Sequence, residues 1–251
     1  MSNVSMTGFN YGINVVDQAA DNQLDSRVHL KACTVDSPVY AVFISGNGTN
    51  SEQKSQLIIE DSTLRSDTIV ITGSGNDIQS GTDIQIINSK IYNNVNADGN
   101  DNVIAENIKV GAAIYHPQKN STLTISNSTI VGYTGIALKG GTANIVDSKI
   151  HGNGDFTEPE ANGSGFTDTG DAIYIETTYG NEIGLFISGE KTSVTHRNDK
   201  TQCLRVFREH TTNVMVQIEG GTFDDTLDSA YIKEGYKQDS DNAVVAKPAT
   251  Q

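Results

Sequence analysis

The stretch LRVFREH at 204–210 gathers Arg205, Arg208, Glu209 and His210, and Asp224 with Asp225 follow shortly after. No other part of the chain concentrates groups of this kind. General acid and base catalysis needs two ionisable groups, commonly carboxylates, facing one bond. A guanidinium beside them would hold an anionic substrate group. The candidate site is therefore Arg205, Arg208, His210, Asp224 and Asp225. Strand alternation would set Arg205 on the face opposite Leu204 and Val206, with Arg208, Glu209 and His210 at the strand end. An exposed charged turn accounts for the same residues without chemistry. His196 and Arg197 are expected on an excursion from the same region.

Other stretches carry less. GSGNDIQSG (73–81) contains a fragment of a calcium-binding nonapeptide, but that motif works only in tandem. NVNADG (94–99) begins like an EF-hand loop, yet position one is Asn94 and position twelve is Ala105, and no helices flank it. Cys33 and Cys203 have no CxxC or His-Cys neighbour in the sequence and make no disulfide scaffold. Cys33 occupies a repeat position that is Ser elsewhere, so a packed structural thiol is expected. The Asn-x-Ser/Thr triplets at Asn47, Asn120, Asn127 and Asn162 follow from the abundance of those residues.

The bulk composition bounds the partners. With 17 Lys+Arg against 31 Asp+Glu, the formal net charge is −14, and the basic residues are scattered. Such a surface repels phosphate backbones, so nucleic acid is not an expected partner. The acidity is compatible with calcium, and no cofactor motif is present. No apolar run of 18 residues occurs, so no membrane-spanning helix is expected. MSNVSMTGFNYG lacks the basic and apolar segments of a signal peptide.

What must position these groups is a repeat. LTISNSTI (123–130) and ANIVDSKI (143–150) share one template: apolar, any, apolar, any, Asn or Asp, Ser, any, Ile. Further copies begin at Val4, Val28, Leu57, Ile84 and Val103, with degenerate ones at Leu185 and Val216. The fifth position falls at Gly8, Ala32, Asp61, Asn88, Asn107, Asn127, Asp147, Gly189 and Gly220, spaced 24, 29, 27, 19, 20, 20, 42 and 31 residues apart. The spacing of 42 suggests two periods, one copy being obscured by the insert GNGDFTEPEANGSGFTDTG (152–170).

A second short apolar segment follows most copies, and no 3.6-residue period is sustained. One unit of about 22 residues offers about five or six apolar side chains, worth roughly 2 kcal/mol each. Ordering its backbone costs on the order of 1 kcal/mol per residue or more. A lone unit cannot fold, and stacking solves the deficit by burying every inner face. The expected fold is all-β: a right-handed parallel β-helix of about ten coils, on the order of 50 Å long at ~4.8 Å per coil. The fifth residue should turn the chain, since Asn and Asp tolerate left-handed backbone and Gly lacks a Cβ. A single β-helix domain is expected over 1–236, excised from a longer protein, with 237–251 as a polar tail or linker.

LTISNSTI, TGDAIYIE (169–176), VQIEGGTFDD (216–225) and SAYIKEGY (229–236) resemble the repeats of the pectate-lyase-like superfamily of right-handed β-helices. They look most like repeat regions of surface and secreted proteins of gut Firmicutes. The resemblance implies lyases, hydrolases, epimerases, tailspikes or adhesins, so it specifies fold rather than activity. TGD at 169–171 is similar to the start of the Thr-Gly-Asp-Asp stretch of polygalacturonase-like hydrolases, but Ala172 replaces the second Asp. Gly-His-Gly and Arg-Ile-Lys segments are missing, so Asp171 is expected as a turn residue. Lyases of this fold use carboxylate-bound calcium and an Arg or Lys base, which the 205–225 group would have to supply.

The resulting expectation is a non-catalytic rod from an extracellular or cell-surface protein. It would present loops, chiefly 152–170, to a polysaccharide or surface protein, as a monomer or a trimer. The alternatives are a polysaccharide lyase or glycoside hydrolase, and a phage tailspike fragment.

Overall fold

A computed structural model of the chain describes residues 1–16, 26–46, 54–73, 80–93 and 111–248. Almost all regular structure among the described residues is strand, and all but two of the strands fall into three parallel sheets. Sheet A has seven strands running from Arg27–Lys31 to Val214–Ile218. Sheet B has eight, from Ser5–Thr7 to Thr222–Phe223. Sheet C has seven, from Tyr11–Val16 to Leu204–Phe207. The chain visits A, B and C in turn and pairs each strand with its counterpart one coil away. This is a parallel β-helix, as the repeat demands.

The core is built from columns of aligned apolar side chains. In sheet B, Val35, Leu64, Ile91, Ile130, Ile150, Val194 and Phe223 stack in register. In sheet A, Ile59, Ile86, Ile125, Ile145, Ile187 and Ile218 do the same. Leu64, Ile91, Ile130 and Ile150 are each 0% exposed, so the interior is closed to water. The pleat sends every second residue inward, which explains the alternation in the template.

The fifth template position turns the chain as expected. Ala32, Asp61, Asn88, Asn127 and Asp147 have φ of 52°, 51°, 47°, 47° and 46°, and Gly8 and Gly189 have 80° and 89°. In the last copy the left-handed residue is Gly221, at 98°, rather than Gly220. The sixth position supplies a second device. The hydroxyls of Ser62, Ser89, Ser128 and Ser148 accept from the backbone N–H of Cys33, Ser62, Ser89 and Ser128 at 2.9, 3.0, 3.0 and 3.1 Å. Each also donates to the carbonyl two residues earlier at 2.7 Å. A buried hydroxyl spine thus satisfies backbone groups that the turn takes out of the ladder. Cys33 ends this spine, with Sγ 3.3 Å from the Lys31 carbonyl, so its role is structural.

Two features differ from the sequence reading. The strand Gly81–Ile87 pairs directly with Thr122–Ser126, and Gly141–Val146 directly with Ile183–Ser188. The spacing of 42 is therefore one coil carrying the insert. The copy at 103–110, with Asn107, lies outside the described residues, and Asn88 and Asn127 belong to neighbouring coils. Among the described residues the three sheets stack seven or eight strands high, against the ten coils expected. At the other end, residues read as a polar tail form part of a hairpin, Tyr236–Gln238 against Val244–Ala246. Val244 is 4% exposed, and its N–H donates to Gly221 O at 2.8 Å, so this segment covers the last coil.

Candidate functional site

The insert after the strand Lys149–Gly152 does not project from the rod. It folds back across the outer face of sheet C, where Tyr115, Ala137 and Tyr174 stand in register. Phe166 packs against Tyr115 at 4.9 Å between ring centres, and the Tyr115 hydroxyl donates to Gly165 O at 3.1 Å. Tyr133 donates to Asp155 O at 3.0 Å. Gly154 lies so close to the Tyr133 ring that a Cβ there would come within 2.4 Å of it.

The insert is anchored by a buried ion pair. Lys139 follows the C strand Thr134–Leu138 and Glu176 ends the next, Ile173–Glu176; both side chains are 0% exposed, with Nζ 3.0 Å from Oε1. Lys139 also donates to Asn162 O and to Gly165 O, and lies 3.8 Å above the Tyr179 ring. Glu176 Oε1 accepts from Asn162 N at 3.0 Å and from the Thr178 hydroxyl. Glu176 Oε2, Asp168 Oδ1 and the Tyr174 hydroxyl have no hydrogen-bond partner. Burial pushes Asp168 up to about 6. Burial, followed by the carboxylates of Glu176 and Asp171, raises the Tyr174 phenol.

Arg205 emerges on this same face, in register with Tyr174, while Leu204 and Val206 pack on the core. Its Nε donates to Asp171 Oδ2 at 2.6 Å, and a terminal nitrogen donates to Asp171 Oδ1 at 3.2 Å and Lys200 O at 2.9 Å. The Phe156 ring of the insert lies 4.9 Å away. Asp171 is 0% exposed and also accepts from Gln202 N at 2.6 Å. It is therefore a buried counter-ion rather than a turn residue. The reason is its place: it lies two residues before the C strand Ile173–Glu176, where the insert rejoins the coil within reach of Arg205.

The remaining sequence candidates separate. Asp225 accepts from Cys203 N at 2.6 Å and faces His196 Nε2 at 2.9 Å. Asp224 is exposed and accepts from the His196 backbone N–H at 3.2 Å. Arg208, Glu209 and His210 are exposed beyond the strand end, where Thr177 Oγ1 accepts from the Glu209 and His210 amides at 3.0 Å each. Arg205 and Asp225 line one cleft of about 500 Å³, with Gln202, Asp228 and Tyr231, beside the last strand of sheet C. Arg208, His210 and Asp224 are not in its lining. Asp228 is occupied in capping the turn Ser229–Tyr231, accepting from Ala230 N at 2.9 Å. His196 completes the strand Ser193–His196 of sheet B, and Arg197 donates to Asn153 O at 3.3 Å.

A larger concavity lies on the outer face of sheet A, unsuspected from sequence. It is a groove of about 880 Å³ over Thr122, Thr142, Gly184 and Met215, which share one register column. Gly184 leaves a dip in the column, and the Phe186 ring leans over it to within 3.1 Å of where a Cβ would sit. Tyr179 gives a second ring, and Lys54, Lys119, Asn120, Asn181 and Asn213 supply polar groups at the rim. The one sequence signal was Gly in a strand interior, which marks close approach or a missing side chain.

The chain matches no protein-family model, no curated protein and no solved structure, so its geometry carries the functional reading. Among the described residues, no helix is long and apolar enough to cross a membrane.

Proposed function

We propose that the chain is a non-catalytic β-helix module that binds a glycan in the groove on sheet A. It would belong to a bacterial surface or secreted protein, of the pectate-lyase-like kind found in gut Firmicutes, and act outside the cell. The groove carries this reading. Its rings can stack on the apolar faces of sugar rings, and its amides, hydroxyls and ammonium groups can bond sugar hydroxyls. Small-ligand sites combine these two kinds of lining. Sheet A is the rigid floor, so little ordering entropy is lost on binding. Glycan-array screening followed by calorimetry tests this reading. Phe186→Ala should weaken the best ligand by about tenfold or more, consistent with ~1.4 kcal/mol or more per ring contact. Unchanged affinity in Phe186→Ala, with a ligand in hand, would remove the groove from the proposal.

The cleft holding Arg205, Asp225 and Asp228 favours a second reading, a polysaccharide lyase or glycoside hydrolase. Against it, Arg205, Asp225 and Asp228 each already hold a structural partner. Incubation with a polysaccharide panel decides the matter: unsaturated products or new reducing ends, lost in Arg205→Ala, would establish the enzyme.

A further inference from the structure

The geometry points to a transition-metal site, of the zinc class, formed by His196, Cys203 and Asp225. One donor atom from each lies within 4.8 Å of the others, the one such group of three found among the described residues. The three come from separate places in the fold. His196 ends a B strand, Cys203 precedes the C strand of that coil, and Asp225 follows the B strand of the next coil. No sequence spacing reveals the group, because the coil brings its members together.

The hydrogen bonds around the imidazole make the strongest case. His196 Nδ1 faces Asn198 O at 2.9 Å and Thr201 Oγ1 at 3.1 Å. A carbonyl can only accept, and the Thr201 hydroxyl already donates to Asn198 O at 2.8 Å. Nδ1 therefore carries the ring proton. In a neutral ring, Nε2 is then a bare lone pair, set 2.9 Å from the carboxylate oxygen of Asp225. Two lone pairs so close require a cation: a second proton or a metal ion. A third donor beside them, the Cys203 thiol, makes this a set that a metal ion would bridge. Cys203 Sγ accepts from Asp224 N at 3.2 Å and, as a thiol, donates to Val194 O at 3.0 Å, a proton whose place the metal would take. A carbonyl holding the second ring nitrogen is likewise the usual outer partner of a ligating histidine.

Ligand chemistry selects the ion. Calcium takes oxygen donors, whereas imidazole and thiolate with one carboxylate suit zinc. The calcium that the acidity suggested does not fit this set. Without metal the Cys203 thiol donates its proton to Val194 O, whereas a coordinating thiol is deprotonated outright. Binding should thus release a proton. Asp225 also lines the 500 Å³ cleft, so a fourth position open to water lies on that side. The ion would link the last two coils.

The test uses the full chain, stripped with chelator and titrated with Zn²⁺ alone, with Co²⁺ as the spectroscopic probe. Expected are one ion per chain, proton release seen as buffer-dependent binding heat, and a thiolate-to-cobalt charge-transfer band. Cys203→Ser should abolish that band. Because Cys203 is fully buried and its replacement risks the fold, His196→Gln and Thr201→Val provide the second arm. Thr201→Val, which removes the hydroxyl bracing the Asn198 carbonyl that holds Nδ1, should weaken Zn²⁺ about tenfold, and His196→Gln more. Cys33→Ser should leave binding unchanged. Absence of the cobalt band in the unaltered chain, or undiminished affinity in His196→Gln, would overturn the site and assign the cation to a second ring proton.

Discussion

Replacing Lys139 by Met should detach the insert from sheet C while leaving the coils stacked. Lys139 and Glu176 are both 0% exposed and 3.0 Å apart. Removing one member of a buried pair strands the other charge, at a cost of about 3–5 kcal/mol. Lys139 also holds two carbonyls of the insert and stacks on Tyr179, so those contacts go as well. For a domain of this size, ~2–4 °C per kcal/mol places the fall in melting temperature at roughly 6–20 °C. Hydrogen exchange and limited proteolysis should localise the loss to 153–170, with amides of 122–126 still protected. The double variant Lys139→Met/Glu176→Leu removes both charges, and a buried pair replaced by apolar residues is often neutral or stabilising. Stability should therefore return toward that of the unaltered chain. A single variant that melts within about 2 °C of the parent, with no faster exchange in the insert, would refute the anchoring argument.

The pH dependence should reflect two buried groups of opposite sign. Burial holds His116 down to about 4 from 6.5. The unfolded chain then binds the extra proton between those values, so His116 lowers stability as pH falls through that window. Asp168 is pushed the other way, to about 6 from 3.8, so its contribution is present at low pH and lost as pH rises through 6. The two slopes oppose each other from about pH 4 to 6. Asp168→Asn should make denaturant stability fall more steeply on acidification, and His116→Gln should flatten or invert the slope. Parallel pH profiles for both variants would contradict this. Ser128→Ala leaves the buried Ser89 N–H without an acceptor and should cost about 1–3 kcal/mol by urea titration. At Asn127, whose φ is 47°, Val should cost about 1–2 kcal/mol through left-handed strain, and Gly much less.

The strands, the apolar columns and the turning residue were legible because each coil repeats them, so one template predicts every copy. The coil number was not, because a template match says nothing about stacking. A 42-residue spacing reads equally as two coils or as one with an insert. Register between copies separates these, and register is a property of three dimensions. The Lys139–Glu176 pair did leave a trace: GIALK and AIYIE place opposite charges at the same position of successive C strands. The Asp171–Arg205 pair left little, since Asp171 closes a loop whose path the sequence does not give. The serine spine was written in the template at its sixth position, and only the hydrogen bonds distinguish it from general serine abundance.

The outer faces of sheets A and C are in different physical states, and this governs where a ligand can bind. An outward position on a solenoid is ordinarily wet, so a charge there needs no partner. The insert turns the outward column of sheet C into interior, with Ala137 and Tyr174 each 0% exposed. Any charge on that column must then be neutralised by a neighbour, as Lys139 and Asp171 are. Charges committed in this way are poorly available for substrate, because freeing one leaves its partner buried and unpaired. Among the described residues nothing covers sheet A at Gly184 and Phe186, and its groove presents the Phe186 ring from a strand and Tyr179 with polar groups from adjoining turns. The open groove on sheet A, rather than the more heavily charged face, is where the fold leaves binding energy to be used.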